Sequence, residues 1–446
     1  MFSKILIANR GEIAVRIIRA CKEMGIYTVA VYSEADSEAL HASLADEAYC
    51  IGGPLVKDSY LNTSAIITTA KYSGAQAIHP GYGLLSENAE FAEMCAENGL
   101  VFIGPSADVI RKMGDKDEAR RTMTAAGVPL TQGTGILKSA AEARIEAQKI
   151  GYPVLLKARS GGGGKGIRPV CTENEIEQSF ISAHAEAEAA FGDGAIYMEK
   201  FLTNVKHVEV QILRDAFGKT IIIGDRDCSL QRKNQKLMEE CPAPTLPDNV
   251  RTSMYEAAKK AAEAVNYVTV GTVEFLYDCK DEFWFMEMNT RLQVEHSVSE
   301  MSYGVDIVKW QIRTAAGLPI SFEQSDIIAD GNSIECRICA ESPIDFRPSC
   351  GIIDILHIPG GPGVRFDSAI YQNYSIPPYY DSMLGKLIVT SKTREEALRK
   401  MRSALSELVI DGVVQNSDLF LELLSEEEII NGTYTTSFLN NRIKAK

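Results

Sequence analysis

The stretch GTVEFLYDCKDEFWFMEMNTRLQVEH, residues 271–296, decides how the rest of the chain is read. Two runs rich in β-branched and aromatic residues, 271–277 and 283–289, flank a polar turn, which predicts a β-hairpin. Each run carries one carboxylate in an apolar setting. Glu274 shares a strand face with Thr272 and Leu276, and Glu287 shares one with Phe283, Phe285 and Asn289. An unpaired buried carboxylate costs several kcal/mol, so two on one hairpin call for a cation. Mg2+ takes a few carboxylate oxygens together with phosphate oxygens and water, and Asn289 offers an amide oxygen. Solvent exposure, or pairing with Lys or Arg, is the other reading of the same two residues. Directly downstream, Arg291, Gln293 and Glu295 alternate with Leu292 and Val294 and lead to His296. In extended chain all three polar groups face one way. A fork, a donor and a proton acceptor suit a small planar oxyanion, although a solvated strand face has the same pattern.

Upstream, residues 1–112 alternate short apolar runs with helical patterns. KILIA (4–8), TVAVY (28–32), AIH (77–79) and LVFIG (100–104) read as strands, and 12–24 reads as an amphipathic helix. Such alternation with short turns means a parallel α/β sheet. No G-x-G-x-x-G follows the first strand, so a dinucleotide site there lacks its fingerprint. A helical stretch, 106–126, leads into a second unit. There YPVLLKA (152–158), AIYMEKF (195–201), HVEVQIL (207–213) and TIIIGD (220–225) read as strands and 252–264 as a helix. From residue 334 onward come further strands, with helices expected around 395–408 and 416–426.

Between two of these strands lies Ser160-Gly161-Gly162-Gly163-Gly164-Lys165-Gly166. It fits G-x-G-x-x-G by letter, but Pro169 follows and would clash inside the helix that a dinucleotide turn must open. Walker A fails too, because Lys165 precedes Gly166 rather than Ser or Thr. The remaining readings are a glycine flap whose backbone N–H groups close over a phosphate, or a flexible linker. Lys116, Lys157, His207, Arg226, Arg232, Lys233, Lys236 and Arg337 are the candidates for balancing a nucleotide's phosphates. The strand end Glu199-Lys200-Phe201-Leu202 offers backbone groups to a purine.

The chain has 446 residues and a net charge of −14, which argues against nucleic acid as the main partner. An anionic substrate would need a basic pocket inside an acidic protein. No apolar run reaches the ~20 residues of a membrane helix, and the N-terminus reads as a first strand rather than a signal, so a cytoplasmic location is expected. The ten cysteines show no disulfide framework. Cys336 and Cys339, three apart in a strand, point to opposite faces and share no metal.

The segments IANRGEIAVRIIRACKEMG, HPGYGLLSEN, FIGPSADVIRKMGDK, GYPVLLKA with its glycine flap, YMEKFL, HVEVQIL, RDCSLQRKNQK, EMNTRLQVEH, IECRICAE and PPYYDSMLGKLI occur in this order. In them the whole chain resembles biotin carboxylase, the ATP-grasp component of biotin-dependent carboxylases. The resemblance implies an α/β and α+β chain with three parts. They are a Rossmann-like N-terminal domain (1–112), an ATP-grasp domain (113–333) with a mobile lid near 131–202, and a C-terminal domain (334–446). It implies ATP contacts at Lys116, Lys157, Gly163, Gly164, Glu199, Lys200, Leu202, His207, Gln231, Asn234, Glu274 and Glu287. Mg2+ or Mn2+ would sit on Glu274, Glu287 and Asn289, and bicarbonate on Lys236, Arg291, Gln293, Val294 and Glu295. Tyr82 and Arg337 would face biotin, and Arg291, Glu295, Lys236 and Arg337 would be catalytic.

By the same resemblance, Glu295 is the base on bicarbonate, carboxyphosphate is the intermediate, and biotin arrives on a separate carrier protein. No Met-Lys-Met biotinylation signature occurs in the chain. A carboxyltransferase and a homodimer through Arg16, Arg19 and Glu23 are the other implied partners. Acetyl-CoA carboxylase of fatty acid synthesis is the favoured assembly, with propionyl-CoA or pyruvate carboxylase as the alternative. Three features depart from the family pattern: Asn234 stands where many members have His, GNSIECRICAESP (331–343) replaces the commoner GHAIECRINAEDP while keeping Glu335 and Arg337, and Pro362 stands where some have Phe.

Overall fold

The structure, a computed structural model, describes residues 1–159 and 166–445. Strands β1 (Lys4–Ile7), β2 (Tyr27–Tyr32), β3 (Glu47–Cys50), β4 (Ala77–His79) and β5 (Val101–Phe102) pair in parallel in the order β3-β2-β1-β4-β5. The helix Gly11–Glu23 lays Ile13, Ala14, Ile17 and Ile18 on Ile5 and Ile7 of this sheet. The strand expected over 100–104 shrinks to two residues, because the Gly104 N–H turns back to the Phe102 carbonyl just before Pro105. The single helix expected over 106–126 is two, Ala107–Gly114 and Lys116–Ala125. Between them the Asp115 carboxylate accepts from the Asp117 and Glu118 N–H groups and starts the second helix, as an N-cap does.

Strands β6 (Val154–Ala158), β7 (Ile167–Val170) and β8 (Ile196–Lys200) form a separate antiparallel sheet, order β7-β6-β8. Helices Ala140–Ile150 and Ile176–Phe191 cover it, around a core that includes Leu137, Ala143, Val154, Leu156 and Met198. Pro169 lies on the edge strand β7, the one place in a sheet where a missing N–H is tolerated. The glycine loop with Gly163 and Gly164 joins β6 to β7 and lies outside the described residues.

The largest sheet is antiparallel. Its strands are β9 (Lys206–Arg214), β10 (Thr220–Arg232), β11 (Gln235–Cys241), β12 (Thr269–Tyr277), β13 (Phe283–Asn289), β14 (Asn332–Cys339), β17 (Val364–Ser368) and β19 (Met383–Ser391). They run in the order β13-β12-β9-β10-β11-β14-β19-β17. Two short ribbons stand apart, β15 (Gly351–Ile352) with β18 (Ser375–Ile376) and β16 (Ile355–His357) with β20 (Val409–Asp411). The large sheet runs through the 333/334 boundary expected between the last two domains.

One face of this sheet is apolar: Val208, Val210, Ile212, Val273 and Phe275 pack on Val250, Met254, Ala257 and Ala261 of the helix Asp248–Ala264. β10 and β11 meet in a two-residue turn, Lys233-Asn234, with φ of 49° and 66°. Left-handed φ at both positions is what such a turn requires, and Asn tolerates it well. That gives Asn234 a backbone role. At the far end, the buried Lys206 ammonium reaches Asp227 at 2.6 Å and the Gly432 carbonyl at 2.7 Å, tying the C-terminal segment to the sheet. Among the described residues no helix is long and apolar enough to cross a membrane.

Three buried histidines, His41, His79 and His296, give this fold a pH signature. Burial holds the His41 imidazole down at about 4 and His79 at about 3, below the ordinary 6.5. Below pH 6.5 the unfolded chain therefore binds protons that the folded chain refuses. Stability should be full above that pH and fall as the pH drops toward 4, by up to about 3 kcal/mol per histidine. Urea unfolding measured over this range should give a flatter curve for His41→Gln than for the wild type. Parallel curves would refute the assignment.

Candidate active site

The other face of the large sheet is polar and largely buried. Glu287, Glu274, Glu209 and Arg226 are successive register partners across β13, β12, β9 and β10. Like charges directly opposite one another are destabilising, so three carboxylates in a row need cations. Arg226, fully buried, takes Glu209 at 2.5 Å and also donates to Gln211, Ser299 and Thr272. The Lys236 ammonium, carried in by β11, reaches Glu209 at 2.6 Å, Glu274 at 2.9 Å and Glu295 at 2.6 Å. Glu274 Oε1 also accepts from Asn289 at 2.8 Å and from Gln293 at 2.9 Å. Its Oε2 lies 3.0 Å from His207 Nε2, and the Gln231 amide sits 2.8 Å from the other ring nitrogen.

Charge and burial oppose each other throughout this group. Burial alone would raise Glu274, but the charges of Lys236 and His207 hold it well below the ordinary carboxylate range. Glu295 is likewise buried, yet Lys236, Arg337 and Arg226 hold it well below that range. Glu287 goes the other way: its side chain is solvent-exposed, but the protein packed around it and the charge of Glu274 raise it against the pull of Lys116. No Lys or Arg among the described residues comes within ion-pair distance of Glu287. An acidic side chain opposite a second carboxylate, with no partner of its own, fits a site for a divalent cation.

The 289–296 run is not the extended strand expected. It leaves β13, turns, and enters the helix His296–Tyr303 directly after Glu295. The side chains still separate as the alternation predicts, with Leu292 in the core and the polar groups converging. Arg291 donates to Gln293 at 2.7 Å and to the Asn289 amide oxygen at 2.9 Å. Asn289 therefore links Arg291 to Glu274. The Val294 carbonyl accepts from Lys386 at 2.7 Å. On the C-terminal side, Arg337 bridges Glu239 at 2.7 Å and Glu295 at 3.0 Å. Among the described residues its Nη1 has no partner. Tyr82 donates to Glu12, close enough to Arg337 to feel its charge.

On the lid side, the Lys157 ammonium holds Glu199 at 2.8 Å, and Arg120 holds the same carboxylate at 2.9 Å. Lys116 is half-buried and within electrostatic reach of Lys157, Glu199 and Glu287. The Lys200 ammonium is engaged by the carbonyls of Gly151 and Tyr152, so its side chain fastens the lid sheet. Leu202 is half-buried at the exit of β8, and Asn234 is exposed on its hairpin turn.

Sequence reasoning passed over four residues that the structure brings in: Glu87, Glu239, Glu12 and Lys386. Glu87 accepts from the Thr290 N–H at 3.0 Å and from Arg291 Nε at 3.0 Å. Lys386 is fully buried, 3.3 Å from Glu12. The one available signal was an isolated charge in an apolar strand, as in MLGKLIVT for Lys386 and LMEEC for Glu239.

Three family profiles match the chain in order: the biotin carboxylase N-terminal domain (1–110), the carbamoyl-phosphate synthase L chain ATP binding domain (115–322), and the biotin carboxylase C-terminal domain (335–441). The chain is 54% identical to biotin carboxylase 1 of Bacillus subtilis over 442 residues, 98% of each chain. It is 50% identical to the 2-oxoglutarate carboxylase small subunit of Hydrogenobacter thermophilus, over 98% of this chain and 93% of that one. A biotin carboxylase of Campylobacter jejuni, solved as a β,γ-ATP complex, superposes with a TM-score of 0.97 at 49% identity, covering 99% of each chain. A parallel N-terminal sheet, a small lid sheet and a large antiparallel floor with buried charges define an ATP-grasp ligase. The chain belongs to the biotin carboxylase family, whose members are ATP-dependent ligases.

Removing the shared ammonium tests this charge arrangement. Lys236→Met leaves Glu209, Glu274 and Glu295 with one cation fewer among them, and should lower stability at pH 7 by ~3 kcal/mol. Urea unfolding at pH 5 should show a smaller loss, because protonation then replaces the missing charge. An equal loss at both pH values would refute the arrangement.

Proposed function

We propose that this chain carboxylates biotin held on a separate carrier protein, as the first half-reaction of acetyl-CoA carboxylase. The carrying observation is Glu295, fully buried between Lys236 and Arg337, with an edge of Arg337 beside it that has no partner among the described residues. Lys116 and Lys157, with the glycine flap, receive the nucleotide phosphates. Glu199, Lys200, Leu202, His207 and Gln231 line its base and sugar. Glu274, Glu287 and Asn289 would hold Mg2+, or Mn2+, which supplies charge neutralisation at the phosphates. Lys236, Arg291, Gln293 and the Val294 backbone seat bicarbonate, and Glu295 takes its proton as the oxygen attacks the γ-phosphorus. Carboxyphosphate then yields CO2 and a phosphate that removes the ureido N1 proton of biotin. Arg337 stabilises the resulting enolate oxygen, Tyr82 packs beside it, and N1 attacks CO2.

The acyl acceptor downstream is the part with a specific rival. The kinship to a 2-oxoglutarate carboxylase subunit and to the biotin carboxylase subunit of a pyruvate carboxylase supports a keto-acid assembly as the second reading. The cleft lined by Arg16, Arg19, Glu23, Asp306 and Arg365 supports a homodimer across that face, and the biotin carboxylase domain of the related 2-oxoglutarate carboxylase was solved as a dimer. A cytoplasmic setting and the three-domain division at 112 and 333 complete the reading.

ATP hydrolysis by the purified chain should require both bicarbonate and biotin, and activity lacking either dependence overturns the function. Arg337→Ala should lower biotin-dependent turnover by on the order of 100-fold, about 3 kcal/mol, while KM for ATP stays unchanged. Copurification of the carboxyltransferase, assayed with acetyl-CoA, pyruvate and 2-oxoglutarate, separates the two assemblies. Glu287→Gln should leave the stability of the ligand-free protein nearly unchanged, since the exposed carboxylate opposite Glu274 is screened by solvent. The same change should abolish the Tm increase that Mg-ATP gives the wild type, and a retained increase refutes the metal assignment.

A further inference from the structure

Behind Arg337 the sheet holds more carboxylates than cations. Glu239 on β11 and Glu335 on β14 are direct register partners, both fully buried. Residues so placed have Cβ atoms about 5 Å apart. Among the described residues, both oxygens of Glu335 and Oε2 of Glu239 have no hydrogen-bond partner. The cations nearby are already engaged. Arg337 serves Glu239 and Glu295, Lys236 serves Glu209, Glu274 and Glu295, and Lys386 is taken by the Val294 carbonyl, Ser297 and Glu12. Two ionised carboxylates facing each other here would repel in a low-dielectric interior with three acceptor oxygens unsatisfied. One proton between them removes the repulsion and turns one oxygen into a donor for the other residue.

We propose that Glu239 and Glu335 form a carboxyl–carboxylate pair sharing one proton, and that this pair positions Arg337 toward the biotin ureido oxygen. The second half rests on the biotin role given above to Arg337; the first half does not. Glu239 is the charged member, since its Oε1 accepts from Nε of Arg337 at 2.7 Å and lies in ion-pair contact with Nη2 at 2.6 Å. Glu335 carries the proton and, among the described residues, has no arginine or lysine bonded to it. Burial pushes Glu335 well above the ordinary carboxylate range, with Lys386 opposing and Glu239 adding to the rise. Burial takes Glu239 up to about 7, against the pull of Arg337. With the pair singly charged, Arg337 is fixed along its Nε–Nη2 edge and its Nη1 edge is left for substrate.

Infrared spectra of the full chain at neutral pH test the proton directly. The difference between wild type and Glu335→Gln should contain the C=O band of a protonated carboxylic acid, because the amide replaces that group. A difference spectrum without the band overturns the shared proton. For the positioning role, Glu239→Gln should lower kcat/KM for free biotin by about tenfold, the weight of one charged hydrogen bond, with KM for ATP unchanged. Glu335→Gln, whose amide can donate as the carboxyl does, should keep most of the biotin activity that Glu335→Ala loses. If Arg337→Ala impairs biotin turnover and Glu239→Gln does not, the positioning role fails. If neither impairs it, the biotin role of Arg337 fails, and the infrared result still decides the pair.

Discussion

A single ammonium group holds this site together. Lys236 is reached by Glu209 from β9, by Glu274 from β12 and by Glu295 from the start of a helix, all within 2.9 Å. Those elements are far apart in sequence, and each delivers a charge that would be costly to bury alone. The ammonium makes their convergence tolerable, and the β10–β11 hairpin delivers it. Arg226 and Arg337 complete the compensation on either side, so Glu295 remains ionised although fully buried.

A sheet with one apolar and one charged face has to be covered on both sides. The helix Asp248–Ala264 covers the first with small and aliphatic side chains. The second is covered by charge pairing with other parts of the chain. Arg16 of the first helix binds Glu300 and Asp306, and Glu87 from the N-terminal unit grips Thr290 and Arg291. Lys386 of β19 meets Glu12, which in turn accepts from Tyr82. The residues of the charged face are thus also the attachment between the N-terminal unit and the sheet.

Much of this was legible in the chain itself. The parallel N-terminal sheet follows from strand–helix alternation, and the carboxylate hairpin from two acids in apolar strands. The second half of β10 and all of β11 were not legible. Asp225, Arg226 and Asp227 put polar groups at three successive positions, and the alternation that resumes at Cys228 and Leu230 is too short to mark a strand by itself. Burial of charge on both sides of that strand is invisible to a pattern that equates buried with apolar. The 289–296 run misled for a related reason. Its alternation is real, but it serves a turn into a helix rather than a strand. Glu87, Glu239 and Lys386 each act through a partner distant in sequence, and no local spacing reports such a partner.

The eight-stranded floor has a mechanical consequence. Glu274 and Arg337 stand on strands joined by pairing through β9, β10, β11 and β14, with register shifts between Ile222 and Asp225 and between Asp227 and Gln231 on β10. Their separation is therefore set by the sheet itself, with the irregular stretch of β10 between Ile222 and Gln231 as the one place along this path where the pairing departs from regular register. Accommodation to cargo of different length or shape falls first to whatever arrives at this floor, or to the small three-stranded cover with its own core.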